Sequence, residues 1–192
     1  MTDGVSKRYD KHKKIVLSEL EQSLSAISVE QVECLLHEIL NARKVFFIGV
    51  GRVLLSAKAI CKRLAHLGID SHYVGEITEP AITDKDLLIV CSGSGETIFP
   101  LNIAKKAREK FGCKIVHIGS NPKGEMKNIC DFMVRIPVRT KLYLADEIES
   151  QQPMTSLFEQ SLLLFGDILA MLIIEHKNLD LSTLWEFHAN LE

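Results

Sequence analysis

Leu87-Leu88-Ile89-Val90-Cys91 is apolar without a break. A strand with one wet face alternates apolar and polar side chains. An unbroken run of this length belongs to a strand covered on both faces. The chain then turns through Ser92-Gly93-Ser94-Gly95-Glu96-Thr97. A helical pattern follows, with Ile98, Leu101, Ile103, Ala104 and Ala107 apolar among Lys105, Lys106, Arg108 and Glu109. A glycine-rich turn between a strand and a helix N-terminus suits an anion. Its N–H groups can approach closely, and the helix end adds partial positive charge. Ser92, Ser94 and Thr97 add short hydroxyl donors. No lysine follows the turn and the glycines are not spaced G-x-G-x-x-G, so it is neither a P-loop nor a dinucleotide fingerprint. Alone, such a stretch reads equally well as a plain turn.

Its neighbours decide between the two readings. Val45-Phe46-Phe47-Ile48 is a second continuous apolar run, ending at the second glycine-rich turn, Gly49-Val50-Gly51-Arg52. A helix is expected from about Val53 to Leu67, with Gly68 as its C-cap. Further strands are expected at 71–74, 114–118 and 132–136, with a turn at 121–124 and a short helix to about Cys130. Strands alternating with helices predict an α/β fold, a five-stranded parallel sheet flanked by helices. In the flavodoxin-like order 2-1-3-4-5, strands 1 and 3 are neighbours, and turns 49–52 and 92–97 lie side by side. Ligands of such sheets bind there, at the carboxyl ends of the strands. Two anion-type turns at one switch point predict a small anionic ligand.

The flanks are helical. Ile15, Leu17, Leu20, Leu24 and Ile27 predict a helix over about 8–26, and Ser28 with Gln31 reads as the capping box of a second. His12 and His37 sit among polar neighbours and read as surface residues. Residues 138–152 read as a loop. Pro153 is expected at the first position of a long C-terminal helix. This helix, to about His176, is apolar nearly all round and is expected to be buried on every side, in the core of an oligomer. Its length and the interruptions at Glu159, Gln160 and Asp167 argue against a membrane span. A last helix is expected from about Leu181. Glu159 is then an acid in a helix expected to be buried, where burial raises a carboxyl pKa toward the range useful for proton transfer. Taken alone it reads sooner as a helix-dipole or capping carboxylate, common for Glu near a helix N-terminus. His188, near a C-terminus, reads sooner as solvent-facing than as functional, and Asp167 as a satisfied buried or interface residue.

Composition narrows the partners. With 192 residues, 46% of them hydrophobic, one domain spanning 1–192 with a full core is expected. Lys and Arg number 23 against 25 Asp and Glu, a formal charge of −2, which argues against a nucleic-acid partner. Five scattered cysteines without a C-x-x-C pair favour reduced core thiols in a cytoplasm over disulfides or a metal. Residues 1–14 are polar, so no signal peptide is expected.

Six motifs carry a resemblance. They are Gly49-Val50-Gly51-Arg52, Arg63-Leu64-Ala65-His66-Leu67-Gly68, Tyr73-Val74-Gly75-Glu76, Ser92 to Thr97, Gln152-Pro153-Met154 running into Leu157-Phe158-Glu159-Gln160, and His188-Ala189-Asn190-Leu191-Glu192. Over about residues 12–192 the chain resembles the sugar isomerase (SIS) domain proteins and, within them, the 6-phospho-3-hexuloisomerases. The serine-rich turn is shared by all SIS domains. The Phe-Glu-Gln helix and the tail are closer to the hexuloisomerase branch.

The resemblance implies a parallel sheet assembled as a dimer of dimers. It implies interconversion of D-arabino-hex-3-ulose 6-phosphate and D-fructose 6-phosphate, after fixation of formaldehyde onto ribulose 5-phosphate, with no metal or organic cofactor. Ser92, Ser94 and Thr97, with the backbone of Gly93, Gly95 and Glu96, would hold the phosphate. Gly51 and Arg52 would line the substrate, Glu159 would be the base, and His188 would reach a neighbouring subunit's site. Where the family has Ser-Gly after Gly51-Arg52, this chain has Val53-Leu54. That departure leaves two alternatives open: an arabinose 5-phosphate isomerase-like enzyme, or a non-catalytic phosphosugar-binding protein.

Overall fold

The computed structural model describes residues 2–191. Glu192, the end of the tail motif, lies outside them. In chain order the elements are α1 (Thr2–Ser25), α2 (Val29–Asn41), β1 (Val45–Ile48), α3 (Gly51–His66), β2 (Ser71–Tyr73), β3 (Leu87–Cys91), α4 (Ile98–Phe111), β4 (Lys114–Gly119), β5 (Phe132–Arg135) and α5 (Ser156–Lys177). Two 3-10 segments, Glu125–Asn128 and Leu181–Phe187, complete them. The five strands pair in parallel in the order 2-1-3-4-5.

The unbroken apolar runs are explained by burial on both faces. Every residue of β1 and β3 is buried. Val45, Phe47, Leu87, Ile89, Val116 and Ile118 point into one core, which α2, α3 and α5 cover and on which Leu20 and Leu24 of α1 also pack. Phe46, Ile48, Leu88, Val90 and Ile115 point into the other, under α4 and Met126. Gly166 sets the approach of α3 and α5, because a Cβ there would come within 2.3 Å of Ile60 Cγ1. Ser56 Oγ donates to the Glu159 carbonyl at 2.8 Å, and Ser23 and Ser161 share a buried 2.6 Å bond between α1 and α5.

The caps follow the sequence. Ser28 Oγ accepts from Gln31 N–H at the start of α2. At the end of α3, Gly68 (φ 73°) donates to Ala65 O, and Ile69 donates to Leu64 O, a Schellman pair.

Several expectations are corrected. The first helix begins at Thr2 rather than near residue 8, and the last is a 3-10 segment. Pro153 is not the first residue of α5: Met154 has φ 54°, outside the helical region, so α5 starts only after the N-cap Thr155. Within one chain α5 is not buried on every side: Leu164, Ile168 and Met171 are exposed along one stripe, the part of the expected burial that an oligomer would supply. Nor is it too short to cross a membrane by length and composition, though just over half of it is buried inside the fold. Asp167 is not buried within one chain: it is exposed and faces Arg63 at 3.7 Å, which leaves the interface reading of it standing. The five cysteines are free, but Cys34 is exposed rather than in the core.

Candidate functional site

The turn after β3 has its carbonyls tied down. Ser92 O accepts from His117 Nε2–H at 2.7 Å. Gly93 O accepts from Ser120 and Asn121 N–H, Ser94 O from Asn121 Nδ2, and Gly95 O from Met126 N–H. Gly124 is needed where it stands, because a Cβ there would meet Ser94 O at 2.5 Å. Gly95, at φ 66°, supplies the left-handed residue that closes the turn. With the carbonyls held from behind, the N–H groups of Gly93, Ser94 and Thr97 donate to no group among the described residues. Thr97 then caps α4 without a side-chain bond to its N–H groups. Ser94 Oγ accepts from Glu96 N–H, so its own proton is left to donate outward. This is a nest of donors at a helix N-terminus.

The turn after β1 lies beside it, as the strand order requires. Val50 caps α3 without a side-chain bond, and Gly51 takes φ 57°. Together with the start of α5 these turns line a cleft of about 570 Å³, formed by Val50–Val53, Gly93, Ser94, Thr97, Thr140, Lys141, Pro153–Ser156, Phe158 and Glu159. Three helices, α3, α4 and α5, present their N-terminal ends to it, and each end carries partial positive charge.

Glu159 is the cleft's only carboxylate among these lining residues. It is 7% exposed. Its Oε2 pairs with Arg52 Nε, and its Oε1 accepts from Thr155 Oγ1 at 2.9 Å. The structure therefore brings Gly51, Arg52, Gly93, Ser94, Thr97 and Glu159 together. Val53 lines the same cleft, whereas Leu54 does not.

Four expected residues lie elsewhere. Ser92 is buried behind the turn, where its hydroxyl accepts from Gly95 N–H and donates to Thr97 Oγ1 at 3.4 Å. Gly95 packs on His117, and Glu96 is exposed outside the cleft. Within one chain His188 lines a different groove, between α3, α5 and the 181–187 segment. Its ring lies 5.0 Å from that of His66 and 5.2 Å from that of Trp185.

The SIS domain family model matches residues 38–168. The chain belongs to the SIS family. Curated relatives point to one branch of it. The chain is 39% identical over 177 residues to the 3-hexulose-6-phosphate isomerase of Bacillus subtilis (strain 168), covering 92% of this chain and 95% of that one. It is 34% identical over 178 residues to the enzyme of the same name from Mycobacterium gastri, covering 93% and 88%. Among solved structures, a Methanococcus jannaschii protein is 32% identical, with a TM-score of 0.81 over 95% of this chain and 99% of that one. Its structure was read as implying a 3-hexulose-6-phosphate isomerase function.

Three residues of this SIS chain escaped the sequence reading. His117 is 1% exposed beneath the serine-rich turn, and burial pushes its imidazole down to about 4 despite the bond to Ser92. A neutral ring bonded to a carbonyl through Nε2 carries its proton there. Glu147 organises the loop 138–152, which showed no motif. Its Oε1 accepts from Thr140 Oγ1 (2.8 Å) and Ser120 Oγ (3.1 Å), and its Oε2 from Thr140 N–H (3.1 Å) and Leu144 N–H (3.0 Å). Glu19 of α1 holds the next stretch, accepting from Ser150 Oγ, Gln151 N–H and Gln152 Nε2. Burial pushes its carboxyl up, but these bonds outweigh that and leave it below its ordinary value.

Proposed function

We propose that the protein is a 6-phospho-3-hexuloisomerase, interconverting D-arabino-hex-3-ulose 6-phosphate and D-fructose 6-phosphate. The observation that carries this reading is the shared cleft. A ring of unengaged donors, built for a phosphate, opens onto the same space as a buried carboxylate. The relatives of that name, alike over nearly the whole chain, support the choice of substrate.

The phosphate sits on the N–H groups of Gly93, Ser94 and Thr97 and on the Ser94 and Thr97 hydroxyls. Ser92, Gly95 and Glu96 shape the turn rather than touch the ligand. Moving the carbonyl from C3 to C2 needs a proton removed from C2 and one delivered to C3, through a cis-enediol. One carboxylate on one face of the sugar can do both, and Glu159 is that group. Charge that builds on the sugar oxygens during transfer needs donors, and Arg52 stands beside the carboxylate to supply them. His188 serves the site of a neighbouring subunit, in a dimer of dimers formed by chains each folded as one SIS domain. The setting is cytoplasmic, in formaldehyde fixation through ribulose monophosphate.

A coupled assay tests the reading. Ribulose 5-phosphate and formaldehyde are supplied with a hexulose phosphate synthase, and fructose 6-phosphate is followed, with arabinose 5-phosphate tested in parallel. Fructose 6-phosphate formed at an enzymatic rate is expected. Turnover of arabinose 5-phosphate alone would show that Val53, which lines the cleft, has shifted the substrate. Tight binding without turnover would identify a phosphosugar-binding protein.

A further inference from the structure

A phosphosugar brings up to two negative charges into a cleft whose phosphate turn offers only neutral donors. Only two cationic side chains, Arg52 and Lys141, line that cleft among the described residues. Arg52 is engaged, with its guanidinium on the Glu159 carboxylate. Charges inside the cleft therefore sum to that neutral pair plus one lysine. Lys141 is exposed, and no hydrogen bond or ion pair joins it to another group among the described residues. The nearby arginines are spoken for: Arg135 of β5 pairs with Asp146 at 2.7 Å and Arg139 of the loop with Glu149 at 2.6 Å.

Placement, too, is built rather than incidental. Thr140 lies directly against the serine-rich turn, so close that a Cβ on Gly93 would meet its Cγ2 at 3.2 Å. Thr140 is fixed there by Glu147 through both its N–H and its hydroxyl. Leu142 N–H donates to Thr140 Oγ1, and Leu144 N–H to Glu147, so the backbone on either side of Lys141 is held. The flexible lysine stem thus starts from a pinned base beside Gly93 and Ser94. A lone ammonium at that position has one anionic visitor to meet.

We infer that Lys141 is the charged phosphate-binding residue of the site, and that the Glu147 clamp positions it. The inference rests on the phosphosugar reading above. It assigns function to a loop that carries no recognisable motif. The ammonium supplies the charge that the turn lacks, while the turn supplies direction. Because it attracts ground state and transition state alike, its loss should appear in affinity rather than in turnover.

The test uses the intact chain, its Lys141→Met and Lys141→Arg variants, and fructose 6-phosphate as the probe, with calorimetric Kd alongside kcat and KM. Lys141 is exposed and unbonded, and matched melting temperatures check that the variants fold. Lys141→Met should weaken fructose 6-phosphate binding about 10- to 100-fold, the size of a charge-assisted contact. Its kcat should stay within about threefold, and Lys141→Arg should recover most of the affinity. Wild-type affinity should fall with added salt more steeply than that of Lys141→Met. Equal affinity in wild type and Lys141→Met overturns the inference alone. A wild-type chain that binds no phosphosugar overturns the phosphosugar reading, and the inference with it. A kcat loss exceeding the affinity loss overturns the phosphate role in favour of a place in the chemistry.

Discussion

Glu147 and Glu159 are buried to nearly the same degree, 9% and 7% exposed, yet they are surrounded differently. Glu147 accepts from four protein donors, two for each oxygen. Nothing in its shell is left for a ligand, and it holds a loop in place. Glu159 has one donor to each oxygen, and one of these is the side chain of Arg52, itself 66% exposed. The carboxylate faces a cleft instead of closing a turn. Burial therefore does not mark a working acid. What sets Glu159 apart is an incompletely saturated shell that opens toward a cleft, the feature on which its proposed role as the base rests. By the same measure Asp86, bonded by Arg43 through both oxygens and by Thr83, is a structural acid.

The comparison can be broken in order of effect. Glu159→Gln should lower kcat by about a thousandfold, the scale of a lost general base, while the fold is kept. Glu147→Ala should cost about 3 kcal/mol of stability in urea unfolding, because it strands the Thr140 and Leu144 N–H groups and the Thr140 hydroxyl, while Ser120 Oγ keeps its 2.8 Å bond to Val138 O. Glu147→Gln should keep most of that, since an amide can accept from the N–H groups and donate to the hydroxyls. His117 offers a pH test of the scaffold behind the turn. Its folded pKa of about 4 lies below the ordinary 6.5, so between these values the unfolded chain binds a proton that the folded chain refuses. Stability should therefore fall as the pH drops from 6.5 to 4. His117→Gln, which keeps an N–H for Ser92 O, should flatten that fall by about 3 kcal/mol. The smallest effect is expected of Ser94→Ala, which should raise KM about tenfold with kcat little changed.

Much of the fold was legible because two-sided burial writes itself as unbroken apolar runs. β1 and β3 could be read residue by residue, and their neighbouring turns followed from strand order. Glu159 stood out as an acid on an apolar helix. Other features rest on tertiary partners that local pattern does not reveal. Glu147 and Glu149 look alike in sequence, but one is buried and one is exposed. Glu19 reaches across 131 to 133 positions to hold Ser150–Gln152. Pro153 looked like a helix start, and only the left-handed Met154 shows why α5 begins later. The serine-rich turn was visible as a motif, yet which of its residues face the cleft depends on bonds from β4 and the 120–126 segment behind it. Those bonds turn Ser92 inward and leave Ser94 and Thr97 in the cleft.

The most direct test of the contrast measures two variants together. Glu159→Gln and Glu147→Ala are each assayed for fructose 6-phosphate formation, fructose 6-phosphate affinity and thermal unfolding. The expected pattern is crossed. Glu159→Gln loses turnover by about a thousandfold, with affinity and melting temperature near those of the wild type. Glu147→Ala melts lower and binds more weakly but, below its melting point and at saturating substrate, still turns over. Turnover retained by Glu159→Gln, or lost only in step with affinity or stability, would contradict its role as the base.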